Sequence, residues 1–209
     1  MTLALGVLVS GNGSNLQAIL DAVGSGTLAA SVKLVLSNKG DAYALERAER
    51  AGVPRRVISH REFASREDFD RAMIAALREA GAEWIVLAGF MRVVTPVFLS
   101  AFEHRVLNIH PSLLPSFPGA HAQRQAVQYG VKVTGCTVHF VDQGTDTGPI
   151  IAQRAVLVRA DDDEAALGER ILVEEHRLLV EVLSAIAAGR VEVVRGTEGT
   201  RTRVNLRAS

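Results

Sequence analysis

Asn108 and His110, two residues apart and followed by Pro111-Ser112-Leu113-Leu114-Pro115, form the stretch of this chain best suited to chemistry. Residues two apart on a strand face the same side, so the two side chains are predicted to enter one space. An amide offers a neutral donor to a carbonyl oxygen, and an imidazole offers a proton or a positive charge near pH 7. The prolines stiffen the exit from the strand and hold the ring in place. A third candidate is Asp146, in Asp142-Gln143-Gly144-Thr145-Asp146-Thr147-Gly148-Pro149. If that carboxylate approaches His110, it favours the imidazolium and raises the histidine pKa. The result is an acid–base pair suited to acyl transfer. Taken singly, each residue also fits a structural role, the histidine as a satisfied residue beside prolines and the acid as part of an Asp/Gly turn.

A second motif is Ser10-Gly11-Asn12-Gly13-Ser14-Asn15. It follows an apolar run and opens a helical pattern, the arrangement in which backbone N–H groups and the helix dipole attract a phosphate. A dinucleotide fingerprint would place a small residue where Leu16 stands and an acid at the end of the next strand. That strand ends Ser37-Asn38-Lys39-Gly40, so a nicotinamide cofactor is disfavoured. The lysine of a triphosphate-binding loop is also missing. A single phosphate, or a tight β–α turn with no ligand, remains.

The other reactive side chains are less suggestive. His139 lies in an apolar strand pattern as a core or supporting residue, His60 and His104 have polar neighbours, and His121 can line the rim of the Pro-rich loop. No convergent histidine–carboxylate spacing argues for a metal. Cys136, the one cysteine, reads as a small buried hydrophobe and allows no intrachain disulfide. There is no G-x-S-x-G elbow for a serine acyl-enzyme. The 209 residues carry 23 basic and 23 acidic side chains, a balance that argues against broad capture of nucleic acid or an anionic membrane. No apolar stretch is long enough for a bilayer, and a reducing, cytoplasmic setting is the simplest reading.

These residues need a scaffold, and apolar periodicity supplies one. Strands are predicted at Leu3–Ser10, Val32–Ser37, Val53–Ile58, Trp84–Ala88 and Arg105–Ile109. Helices are predicted at Asn15–Val23, Asp41–Ala51 with Asp41 as N-cap, and Ser65–Ala80. Such alternation implies an α/β fold, a Rossmann-like, mostly parallel sheet with helices on both faces. Beyond the prolines come a short helix near Gln123–Tyr129, an antiparallel pair at Val133–Asp142 and Pro149–Val158, and a long helix over Asp163–Ala188. Residues 1–194 are read as a single domain and 195–209 as a loose polar tail. Ser10–Asn15, Gly89–Arg92 and Asn108–Pro118 all end strands, where open α/β sheets bind ligands.

The sequence closely resembles the phosphoribosylglycinamide formyltransferase family, folate-dependent enzymes of purine biosynthesis. The likeness runs from Leu5 to about Val193. It is carried by Val9-Ser10-Gly11-Asn12-Gly13-Ser14-Asn15-Leu16, Ser37-Asn38-Lys39, Leu87-Ala88-Gly89-Phe90-Met91-Arg92, Asn108 to Pro115, and Thr137-Val138-His139-Phe140-Val141. The resemblance implies the formyltransferase fold and Asn108, His110 and Asp146 as a catalytic trio. It implies Gly13, Ser14 and Asn15 on the substrate phosphate, and Glu175 on the ribose or glycinamide part. Arg66, Met91, Arg92, Val93, Val94, Asn108 and Val141 would line the pocket for 10-formyltetrahydrofolate, a co-substrate, with Val141 to Asp146 as its mobile wall. No metal and no covalent enzyme intermediate are implied, and a homodimer is. Leu172 departs from the pattern by standing where a relative has a polar substrate contact. Related hydrolases carry an extra N-terminal domain, for which a first strand at Leu3 is expected to leave no room. Enzymes that formylate methionyl-tRNA carry a further C-terminal domain and a basic face, unlike this neutral chain. A phosphate-ligand sensor that kept the fold and lost the chemistry is a third alternative.

Overall fold

The computed structural model describes residues 2–197 and 200–207. The architecture is α/β, a mostly parallel sheet with helices on both faces and an antiparallel extension. The chain divides into two compact units, one up to Asn108 and the other from Ile109 onward.

In the first unit the strands are β1 (Leu3–Val9), β2 (Ala30–Ser37), β3 (Arg55–Val57), β4 (Trp84–Leu87) and β5 (Val106–His110), whose last two residues open the second unit. They lie parallel in the order β3-β2-β1-β4-β5. β1 is apolar throughout because both its faces are covered, and Leu3, Leu5, Val7, Leu8 and Val9 are all buried. Each such side chain contributes about 1.5–3 kcal/mol on leaving water.

Helices α1 (Ser14–Gly24), α2 (Tyr43–Arg50) and α3 (Arg66–Glu79) are the crossovers, followed by the short α4 (Pro96–Ala101). α1 buries Leu16, Ile19 and Leu20, and α3 buries Phe69, Met73, Ile74 and Leu77. Ser65 caps α3, its hydroxyl accepting from the Asp68 N–H at 3.0 Å. The cap predicted for α2 is corrected. The helix starts at Tyr43 behind Ala42, which has no side-chain cap, and Asp41 lies one residue too early. The amide that Asp41 would have served is used elsewhere, since the Ala44 N–H donates to the Gly11 carbonyl at 3.1 Å. α4 escaped the sequence reading because six residues show too little periodicity.

The second unit holds the end of β5, then α5 (Ala122–Tyr129), β6 (Val133–Phe140), β7 (Ile150–Leu157) and the 24-residue α6 (Glu164–Ala187). β6 and β7 pair antiparallel as expected. At Gly135 an added Cβ would stand 1.8 Å from the Arg154 carbonyl oxygen on β7, so no side chain fits there. Asp163 caps α6 by accepting from the Ala166 N–H at 2.8 Å. β9 (Arg203–Leu206) pairs antiparallel with β8 (Val191–Val194), with Val191 opposite Leu206 and Val193 opposite Val204. The alternation of Val204 and Leu206 with polar neighbours is two residues long, too short to stand out against an arginine-rich background.

Candidate active site

The glycine-rich turn in the first unit joins β1 to α1. Gly13 is the N-cap of α1 with φ of +76°, a conformation glycine adopts without strain. A Cβ on it would stand 2.4 Å from the Cβ of Ala44 and 2.8 Å from its Cα, so glycine is needed for close approach as well. Ser14 begins the helix, and the first intrahelical bond runs from the Gln17 N–H to the Gly13 carbonyl at 2.9 Å. The first turn of a helix presents its amide N–H groups outward, so the turn has the form of an anion cradle. Asn15 is buried at the base of this turn.

Beside it, Gly89–Val94 follows β4. Buried Ser10 ties the two segments together. Its hydroxyl accepts from the Met91 N–H at 2.9 Å and donates to Asn38 Oδ1 at 2.6 Å, while its N–H donates to the Gly89 carbonyl at 3.1 Å. Arg66 and Asp70, one helical turn apart on α3, hold the far end. Arg66 donates to the Val93 carbonyl at 2.7 Å, and Asp70 accepts from the Thr95 N–H at 2.6 Å. Arg92 lies over the Phe69 ring at 5.7 Å. Met91 is 73% and Val93 53% exposed, whereas Val94 is buried. The loop therefore offers an apolar surface on a pinned backbone. Sequence reasoning missed Asp70, whose place on the buried face of an amphipathic helix was the available signal.

In the second unit, β5 delivers His110 into a buried position, 5% exposed. Its Nδ1 lies 3.3 Å from Asp146 Oδ2, and its Nε2 lies 2.9 Å from the Phe117 carbonyl oxygen. Asp146 also accepts from the Gly119 N–H at 2.7 Å, and its other oxygen lies 3.7 Å from Nε2 of buried His139 on β6. Asp146 holds a left-handed φ of +56°. Gly148 fixes the same loop from behind, because a Cβ there would meet the Phe140 carbonyl oxygen at 1.8 Å. Asp142 secures the near side by accepting from the Gly144 N–H at 3.1 Å and the Thr147 hydroxyl at 2.7 Å. The approach of Asp146 to His110, which the sequence left conditional, is thus present in the fold. Phe117 and Gly119 gave no chemical signal, since both act through their backbones.

The electrostatics correct one expectation. Burial pulls the His110 pKa below its ordinary value, and the Phe117 carbonyl and Asp146, which pull it upward, do not offset that loss of hydration. Burial pushes the Asp146 carboxyl up, but His139, the Gly119 N–H and His110 together reverse this and hold it below the usual carboxylate range. A neutral imidazole has one N–H, while both His110 nitrogens face oxygen acceptors. The ring therefore rests neutral at physiological pH, in surroundings arranged to receive a second proton.

The remaining predicted contacts are placed as follows. Glu175 is buried on α6 close enough to Cys136 for its charge, after burial itself, to help push that thiol up to about 12. Cys136 is accordingly a core residue, as its strand setting implied. Leu172 and Val141 are half-buried, and Asn108 is half-buried on β5.

This fold and this site place the chain in the formyl transferase family, which it matches over residues 4–183. It is 45% identical over 187 residues to the phosphoribosylglycinamide formyltransferase of Escherichia coli (strain K12), covering 90% of this chain and 88% of that protein. It is 48% identical over 185 residues to the trifunctional purine biosynthetic protein adenosine-3 of Drosophila pseudoobscura pseudoobscura. That match takes in 88% of this chain but spans only 14% of the longer protein. Among solved structures, glycinamide ribonucleotide transformylase 1 from Symbiobacterium toebii superposes with a TM-score of 0.93 at 48% identity, over 98% of this chain and 94% of that one.

Proposed function

We infer that this protein transfers the formyl group of 10-formyltetrahydrofolate to the amine of N1-(5-phosphoribosyl)glycinamide, giving the N-formyl product and tetrahydrofolate in purine biosynthesis. The observation that carries the reading is the buried His110–Asp146 pair, 3.3 Å apart, at the end of a strand that also bears Asn108. Similarity to proteins named phosphoribosylglycinamide formyltransferase along most of both chains supports the choice of substrates.

The acceptor amine attacks the formyl carbon directly, forming the new C–N bond and placing negative charge on the formyl oxygen. Asn108 donates to that oxyanion, a contribution of about 2.7–4 kcal/mol for a well-placed donor, and His110 joins it once protonated. His110, neutral at rest, takes the proton the amine loses. The imidazolium is then held by Asp146, whose ionised state the surrounding donors preserve. Collapse of the tetrahedral intermediate breaks the bond to the folate nitrogen, and His110 returns the proton to that leaving nitrogen. His110 is thus base and then acid, with no acyl-enzyme.

Gly13, Ser14 and Asn15 bind the substrate phosphate, and Glu175 the ribose or glycinamide part. Arg66, Met91, Arg92, Val93 and Val94 in the first unit are the folate contacts, Arg66 acting through the Val93 carbonyl, and Val141 is a folate contact in the second. The enzyme works in the cytoplasm as a homodimer, in keeping with its family. Among the described residues no helix is long and apolar enough to cross a membrane.

The test is to follow 10-formyltetrahydrofolate consumption with and without the glycinamide ribonucleotide and to identify the product. Amine-dependent consumption with formylated product supports the transfer. Consumption with water alone makes the protein a hydrolase, and tight binding without turnover makes it a sensor. Either of the last two overturns the reading.

A further inference from the structure

Arg47, on α2, makes contacts that the reaction described above does not use. Its Nε donates to the Asn12 carbonyl at 2.9 Å, its Nη2 to Asn12 Oδ1 at 3.0 Å and its Nη1 to Gln17 Oε1 on α1 at 3.1 Å. The Tyr43 ring lies 4.8 Å from the guanidinium carbon. One side chain thus spends three donors on the glycine-rich turn and the helix it opens. Asn12 itself is exposed, outside any helix or strand, so its orientation depends on these partners.

The consequence follows from peptide geometry. In a planar trans peptide the C=O and the following N–H point in opposite directions. Arg47 draws the Asn12 carbonyl toward α2, which turns the Gly13 N–H away from α2. One residue earlier, the Ala44 N–H draws the Gly11 carbonyl the same way at 3.1 Å, which turns the Asn12 N–H away as well. Two successive amides are therefore aimed to one side, as in the backbone nests that hold anions. We propose that Arg47 is the positioning residue of the phosphate cradle, fixing the direction of the Gly13 N–H through the Asn12 carbonyl. The inference rests on the Gly13–Asn15 turn being the phosphate site.

A lysine keeps the charge but cannot place three donors in a rigid plane, so charge and geometry are separable. Arg47→Ala and Arg47→Lys are both expected to raise KM for the glycinamide ribonucleotide roughly tenfold, the scale of one lost charged hydrogen bond. In both, kcat and KM for 10-formyltetrahydrofolate are expected to stay within about twofold, the resolution of such comparisons. Inorganic phosphate should weaken as a competitive inhibitor in parallel. Asn12→Ala removes the side-chain acceptor of Nη2 and keeps the carbonyl that Nε holds, so it should give a smaller rise and be non-additive with Arg47→Ala. Losing one of the two Asn12 bonds loosens the guanidinium, so a rise in that KM alone supplies the test if the arginine variants do not fold.

Wild-type behaviour of Arg47→Lys would show that charge alone suffices and overturn the proposal. So would an equal rise in both KM values, which marks general loosening. Gly13→Ala, which distorts the turn itself, tells the two ideas apart. If it leaves the ribonucleotide KM unchanged, the phosphate site lies elsewhere and the reading beneath the proposal falls. If it raises that KM while the Arg47 and Asn12 variants do not, only the positioning role falls.

Discussion

Asp146→Asn keeps the size of the side chain and removes its charge. The amide oxygen can still accept from the Gly119 N–H, now 2.7 Å from Oδ2, so the loop keeps its anchor. What is lost is a negative charge 3.3 Å from His110 Nδ1. At that separation and an effective dielectric constant of about 20, the Coulomb term is about 5 kcal/mol, a ceiling for the coupling. Opposite charges this close commonly shift a pKa by about 1–3 units. The His110 pKa, which burial already holds below 6.5, should fall further. His110 acts from its neutral form, so the acid limb of kcat, measured at saturation with both substrates, should move to lower pH. The plateau should drop by roughly 10²–10⁴ because the imidazolium of the transition state loses its partner. A plateau unchanged from wild type would refute the pairing. A limb that moves upward would refute the sign of the coupling. In stability, the lowered His110 pKa means the unfolded chain binds more protons between the folded-state pKa and 6.5, so this contribution is lost as pH falls through that window. Asp146, with its pKa depressed, stabilises above 3.8 and is lost only as pH falls through its lower folded value.

Three further outcomes follow from packing and burial. Gly13→Ala forces an L-residue to φ of +76° and a Cβ to within 2.4 Å of Ala44. The left-handed conformation alone costs roughly 1–2 kcal/mol, so thermal scans should show Tm lower by roughly 2–8 °C, with a higher KM for the ribonucleotide. Asp70→Ala strips the acceptor from the Thr95 N–H, and urea unfolding should show a loss of about 1–3 kcal/mol. Asp70→Asn keeps an acceptor, and because burial raises the Asp70 carboxyl it should match or exceed wild type at neutral pH. That advantage should vanish as pH falls through the raised pKa toward 3.8, where wild-type Asp70 is protonated in the fold. Cys136, buried with a pKa of about 12, should resist a thiol reagent in native protein at mildly alkaline pH and react on denaturation. Native labelling would contradict its place in the core.

The sequence by itself determined the elements and the chemical inventory. Period-2 and period-3.6 apolar patterns depend only on neighbours along the chain, which is why β1, α1, α3 and α6 were legible to within a residue or two. The Asn108–His110 spacing was readable for the same reason, as a local property of a strand. Only the tertiary structure brought Asp146 to His110 across 36 positions of sequence and added the Gly119 N–H and the Phe117 carbonyl, backbone groups that no residue type announces. It also decided the direction of the His110 pKa. Proximity of the carboxylate predicted a rise, but the loss of hydration depends on everything packed around the ring, and that term outweighs the pair. Arg47 and Asp70 follow the same rule. In sequence they are ordinary charged residues of amphipathic helices. They acquire a role when folding sets them against the Asn12 carbonyl and the Thr95 amide, because a hydrogen bond is fixed by distance and direction in space and not by separation along the chain.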